Sequence, residues 1–315
     1  MKVRMLLGAA LVVSYGAGAA FADCTSTSRW GAEDTLGSAN LVTPERTMEA
    51  AKLIKQGKSM PLGIAIGPNT PAFPPRSLSL QVVQPNQQGG QKLSGFGYEA
   101  NYNDDLLQTW IGIGSQLDGL GHLGEGGHYY NCLDEKEISA ITGLTKLGTH
   151  AVPPLVGRAV ILDMAAHSGV DVMPAGAHFG EAEIKAAAEA QGVTMGEGDI
   201  ILFHTGWTEG MLESDPTAWG SSEPGLNNEG AVYLASLNPM AVGADTWGLE
   251  PIPAPDGDKV FYGHVTLLKE NGIYILETMN VGPLVREGVN EFMFVLGQPR
   301  IVGTVQAMIN PVALY

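Results

Sequence analysis

Glycine and proline are spread through this chain too densely for any fold built of long helices: 42 glycines and 19 prolines stand among 315 residues. Inside a helix each glycine costs about 1 kcal/mol relative to alanine and each proline about 3 kcal/mol. Their even distribution therefore dictates short elements joined by many turns. A hydrophobic content of 44% and a mean hydropathy near zero supply enough apolar surface for a sizeable core, so the chain reads as globular and not as disordered.

The first residues stand apart. Lys2 and Arg4 precede an apolar run from Met5 to about Ala19, which closes on Ala20-Phe21-Ala22. This is the pattern of an export signal over residues 1–22, and the run is short for a retained membrane anchor. The mature chain would then be residues 23–315, read as one catalytic domain in the periplasm or secreted, with no membrane contact after cleavage. The formal net charge is −16, and losing Lys2 and Arg4 makes it more negative by two. Nucleic acid is excluded as a partner, because releasing its counterions needs clustered cations and the few here are scattered. Cys24 and Cys132 are the only cysteines. In an oxidising compartment they can pair or stay free, and a zinc site made of cysteines alone is ruled out by the count.

Apolar runs alternate with helical periods along the rest of the sequence. Pro44–Gln56 repeats Met48, Ala51 and Ile54 at helical spacing, and Glu181–Gln191 is an alanine-rich helix with Gly192 as its natural stop. Arg158–Asp163, Asp199–Phe203 and Ile273–Glu277 read as buried strands, Ala231–Leu237 as a short helix, and Val260–Glu270 as helical. Residues 68–97, rich in Pro, Gln, Ser and Gly, form a long loop or lid. Trp110–Leu117 alternates like a strand and runs into the glycine-dense stretch Gly119–Gly127. Strands alternating with helices give an α/β fold, and the glycine-bounded strands without helices allow a mixed sheet.

The glycine-dense stretch contains Gly119-Leu-Gly121-His-Leu-Gly124, which matches a dinucleotide-binding pattern. That pattern needs a helix after the last glycine to receive a pyrophosphate, and Gly126-Gly127 interrupts it. What remains in Gly114-Ser-Gln-Leu-Asp-Gly-Leu-Gly-His122 is an amide, a carboxylate and an imidazole on one flexible turn.

With these residues in register, the sequence resembles the metal-dependent cyclase family that includes bacterial kynurenine formamidases and isatin hydrolases. The family hallmark is His-x-Gly-Thr-His-x-Asp-x-Pro-x-His. Here Gly114, Asp118 and His122 match it, Ser115 replaces Thr, and Gly112 and Gln116 stand where the family has histidines. Further matches follow in family order: Gly198-Asp199 leading to His204-Thr-Gly-Trp207, Gly243-Ala-Asp-Thr246, then His264, Gly272 and Ile273–Glu277.

The resemblance implies a mixed-sheet swivelling β/β/α fold, a homo-oligomer and a divalent metal ion, zinc or manganese, held by Asp118, His264 and Glu277. Two carboxylates and a neutral imidazole cancel the charge of such an ion. It further implies His122 at the metal centre or as a proton relay, and Gln116, which departs from the family's histidine, is the second candidate catalytic group. Gln116 doubles as a substrate contact, and His128, His204 and Trp207 are the other candidates for that role. The function expected is hydrolysis of a cyclic amide, aryl formamide or related acyl bond in a small, possibly aromatic or cyclic substrate, by water that the metal activates. Two rivals keep the fold: a metal-independent cyclase, isomerase or lyase, to which the missing histidine pair points, and a periplasmic binding protein without turnover.

Overall fold

The computed structural model describes Cys24 and residues 27–315; the predicted export signal over 1–22 lies outside the described residues. Nine strands form one mixed sheet. In chain order they are β1 (Ser59–Pro61), β2 (Gln116–Asp118), β3 (Leu155–Asp163), β4 (Ile200–His204), β5 (Ala241–Ala244), β6 (Tyr274–Glu277), β7 (Glu291–Leu296), β8 (Gln306–Met308) and β9 (Val312–Leu314). Across the sheet they lie in the order β1-β9-β7-β3-β4-β5-β6-β2-β8.

The central quartet β3, β4, β5 and β6 is parallel and follows chain order. Parallel neighbours need a crossover. Helices supply it: α2 (Glu181–Gln191) between β3 and β4, α3 (Asn228–Ser236) between β4 and β5, and helical residues Tyr262–Glu270 before β6. Burial on both faces requires continuous apolar runs. Ile200 to Phe203, Ala241, Val242 and Tyr274 to Leu276 accordingly have no exposed surface, and Phe203 packs its ring 4.8 Å from Phe179. Helix α1 (Pro44–Ala51), capped by the Thr43 side chain, lies against β3 and β7.

The antiparallel additions place the chemistry. Strand β2 pairs with β6 so that Gln116 lies opposite Glu277 and Asp118 opposite Ile275. Strand β8 then pairs with β2, setting Gln306 opposite Asp118. Residues more than 150 apart in the chain thus become neighbours through two strand registers.

The strand expected over Trp110–Leu117 is shorter and later, Gln116–Asp118, and the preceding turn is irregular. The extended stretch before it is Asp104–Thr109, which forms an outlying hairpin with Leu78–Val83. Its side chains alternate with no buried face, and Leu80, Val82, Leu106 and Leu107 are each about half exposed. No hydrophobic period marks such a ribbon in the sequence. The expected lid region therefore contains one arm of a hairpin whose other arm continues beyond it. Cys24 and Cys132 form a disulfide that ties the start of the described chain to the loop after β2. Among the described residues no helix is long and apolar enough to cross a membrane.

Candidate metal and active site

Asp118, His264 and Glu277 converge with their ligand atoms within 4.8 Å of one another, all three buried. His264 Nε2 lies 3.2 Å from Glu277 Oε1 and 3.6 Å from Asp118 Oδ2. Donors bound side by side on one ion, with bonds of about 2.1 Å, sit roughly 3 to 3.5 Å apart, so these separations fit. The remaining atoms of each donor are already committed. Gln306 Nε2 donates to Asp118 Oδ1 at 2.7 Å, and Gln116 Nε2 donates to Glu277 Oε2. His264 Nδ1 faces Glu250 Oε1 at 2.7 Å, which turns Nε2 toward the two carboxylates. Asp118 Oδ2 has no hydrogen-bond partner. An unpaired buried carboxylate oxygen is costly unless a cation or donor meets it. The donor set and its orphaned oxygen therefore fit a divalent ion.

Glu250 was not legible as a site residue, yet it organises the site. Its carboxylate accepts the N–H groups of Gly263 and His264 at 2.9 and 2.7 Å as well as the ring nitrogen. A Cβ at Gly263 would come within 2.7 Å of that carboxylate, so glycine is required for the approach. Glu223, fully buried, accepts the N–H groups of Trp247 and Gly248. Burial, together with the charge of Glu277, raises its pKa well above the usual carboxylate range. Leu249, Phe261 and Thr278, beside Glu250, His264 and Glu277, all have left-handed φ of 54 to 61°. Each such non-glycine residue costs roughly 1 to 3 kcal/mol, a strain held by the surrounding packing.

Charge follows geometry. Burial alone would raise Asp118, but His122 and His264 and the Gln306 amide hold it at about 2. Burial and the neighbouring Asp118 charge push Glu277 up to about 7. Burial opposes protonation of His264, yet Asp118, Glu250 and Glu277 hold its pKa well above the usual imidazole value. A cluster that attracts a proton so strongly is equally a cation trap.

His122 reaches Asp118 Oδ2 at 3.9 Å and keeps about a fifth of its side chain exposed. Burial lowers its pKa against the pull of Asp118, and the His264 and Arg76 charges lower it further. These effects favour the neutral form of its imidazole. It opens on a cavity of about 1000 Å³ that is also bordered by Gln306, Arg76, Trp110 and Thr304.

The other candidates lie elsewhere. His204 ends β4, three strands from β2, which is about 14 Å at ordinary strand spacing. There its Nδ1 pairs with Asp163 at 2.9 Å and its Nε2 lies 3.7 Å from Glu209, in a separate cavity of about 650 Å³. The Asp163, Asp245 and Glu209 carboxylates raise its pKa against the effect of burial. His128 sits on the surface loop after the glycine-dense turn, bridged to Glu125 and Asp134. Trp207 is buried behind Trp219 and Trp247, and those two rings, not Trp207, border the small cleft over Gln116. The structure thus gathers Gln116, Asp118, His122, His264 and Glu277, and leaves His128, His204 and Trp207 outside that group.

The Cyclase family model matches residues 60–251, more than half of the sequence, and includes the glycine-dense turn. The chain belongs to the cyclase family. Among solved structures, a novel cyclase is 28% identical, covers 91% of this chain and 96% of its own, and superposes with a TM-score of 0.81. Isatin hydrolase A from Ralstonia solanacearum is 16% identical over 86% of this chain and 97% of its own, with a TM-score of 0.61. An isatin hydrolase bound to the product analogue thioisatinate is 17% identical over 87% and 99%, with a TM-score of 0.60. No curated protein matches by sequence. The expected mixed α/β cyclase fold is the one observed. Within it, this cyclase-family chain departs from the hallmark at Gly112 and Gln116. A Cβ at Gly112 would meet Arg76 Nη1 at 2.7 Å and Gln116 Oε1 at 2.8 Å, so a guanidinium and an amide fill the space beside that glycine.

Proposed function

We propose that this protein is a metal-dependent hydrolase that opens a cyclic amide, an aryl formamide or a related acyl bond. The observation that carries the reading is the convergence of His264 Nε2, Asp118 Oδ2 and Glu277 Oε1 beside His122, which lines a large cavity. The similarity to isatin hydrolases supports the same class of reaction. Asp118, His264 and Glu277 would hold one divalent ion, zinc or manganese. When bound, such an ion supplies Lewis acidity toward a carbonyl and makes water a stronger acid.

The chain's own groups do the rest. Glu250 fixes the His264 ring, while Gln306 and Gln116 fix the two carboxylates. His122, which lines the cavity, takes a proton from the attacking water and returns it to the departing nitrogen or oxygen. Gln116 Oε1 is buried without a partner, which makes it a candidate acceptor for a substrate N–H.

The test is metal analysis of the purified protein with a panel of cyclic amides and aryl formamides, alongside Asp118→Ala and Glu277→Ala. Turnover that depends on metal and disappears in both variants supports the reading; full activity without bound metal removes it. The replaced histidine pair favours a second reading, a metal-independent isomerase or lyase using Gln116 and His122, and chelator-insensitive turnover would single it out. Export to an oxidising compartment is part of the proposal, supported by the leader pattern and the Cys24–Cys132 disulfide. A homo-oligomer is proposed too, because an isolated two-stranded ribbon with four half-exposed aliphatic residues is marginal in water without cover.

A further inference from the structure

We propose that Arg76 selects substrates carrying a carboxylate, which it receives in the cavity that it and His122 both line. The inference rests on the hydrolase reading only for the word substrate; the anion site itself rests on the wall of the cavity.

The chain has 33 acidic and 17 basic residues excluding histidine, so a cavity wall taken at random should be acidic. This one is not. Among the described residues its lining includes Arg76 and no carboxylate, and its other polar groups are neutral hydroxyls and amides beside His122. Such a wall is a local reversal of the overall field, which repels anions.

Arg76 is unspent. Its side chain makes one hydrogen bond among the described residues, from Nη1 to the Gly112 carbonyl at 2.7 Å, and no ion pair with any described carboxylate. A neutral carbonyl does not discharge a guanidinium, and the remaining N–H groups stay available in the planar fork that suits a carboxylate. The group is also held in place. Arg76 N donates to Phe73 O, and the Phe73 ring stacks on Trp247 at 5.3 Å and 21°. Trp247 meets Phe261, which meets the His264 ring edge-on at 5.4 Å. A ladder of rings therefore runs from the loop that carries Arg76 to a proposed ligand.

Gly112 makes this arrangement possible, since a Cβ there would come within 2.7 Å of the guanidinium nitrogen. Among the described residues that line the cavity Arg76 is the only Arg or Lys, so a carboxylate bound there meets its charge first. The class implied is a small acyl compound with a carboxylate set apart from the bond that breaks.

The probe pair is 4-acetamidobenzoate and acetanilide, which differ by that carboxylate. Binding is measured by calorimetry to the metal-loaded protein and to the same protein after chelation, for wild type, Arg76→Gln and Arg76→Lys. Melting temperatures check that each variant is folded. Wild type should prefer the carboxylate at least tenfold, about 1.4 kcal/mol, in both metal states. Arg76→Gln should lose the preference, and Arg76→Lys should keep part of it because the charge remains and the fork does not. The proposal is overturned if wild type shows no preference, if Arg76→Gln retains it, or if removing metal alone abolishes it, which would assign the carboxylate to the ion. Failure of the hydrolase reading looks different: no turnover of formanilide or 4-formamidobenzoate by metal-loaded wild type, with the binding preference intact.

Discussion

Replacing Glu250 by Gln separates two roles that one carboxylate combines. Oε1 faces His264 Nδ1 and receives the His264 N–H, both at 2.7 Å, while Oε2 receives the Gly263 N–H at 2.9 Å. Gln keeps the shape and one acceptor. Its amide nitrogen must then face a donor, and with the carbonyl kept on His264 the Gly263 N–H is the one left unpaired. A buried donor without a partner costs about 1 to 3 kcal/mol. In a chain of this size that lowers the melting temperature by roughly 2 to 4 °C for each kcal/mol. The second effect is on the metal. Losing the charge behind His264 weakens the basicity and orientation of Nε2, and changes of this kind reduce metal affinity by about 10 to 100-fold. Competition with a fluorescent chelator measures the affinity, and thermal melting of the chelated protein measures the cradle alone. Glu250→Ala leaves all three donors unpaired and should melt lower still. If Glu250→Gln melts as expected but holds zinc and manganese within twofold of wild type, Glu250 is a structural cap only, and the reasoning that makes His264 Nε2 a metal ligand fails.

Asp118→Ala should remove stoichiometric metal and leave no detectable turnover, measured by elemental analysis and by product formation on the same sample. Asp34 makes a pH-dependent contribution. Burial would raise its pKa, but hydrogen bonds from Ser28 and Tyr130, the Leu36 N–H and Asn40 outweigh it and bring it below the usual carboxylate value. Its stabilisation is therefore present above the unfolded pKa of about 3.9 and lost as pH falls through the lower folded value. Asp34→Asn should melt below wild type at pH 7, and the gap should close under acid conditions; a gap that persists below pH 3 would contradict this. Cys24→Ser opens a loop with a sequence separation of 108 and should cost about 2 to 4 kcal/mol, read from urea unfolding with and without reductant.

Local chemistry was readable wherever a residue's role depends on its neighbours in sequence. The helix over Glu181–Gln191 ends at Gly192, whose φ of 68° is the left-handed stop that glycine supplies. The central strands were visible because burial on both faces forces unbroken apolar runs such as Ile200–Phe203. Asp118, His264 and Glu277 could be picked out because each lies in a short patterned stretch, in family order. The outlying hairpin was misplaced for the opposite reason: neither face of Asp104–Thr109 is buried, so nothing constrains its pattern.

What only the tertiary structure decided is the company these residues keep. Glu250 and Glu223 lie in irregular loops where an acid carries no periodic signal, and Gln306 meets Asp118 because two antiparallel registers align them across 188 positions. His204 and Trp207 sit in a patterned stretch like the candidate ligands, yet the strand order carries His204 away to a pocket of its own with Asp163 and Glu209. Sequence fixes which side chains exist and how their own segment folds. Strand order and loop packing fix which of them share a low-dielectric space, and the shifted pKa values and the proposed metal and anion sites all depend on that sharing.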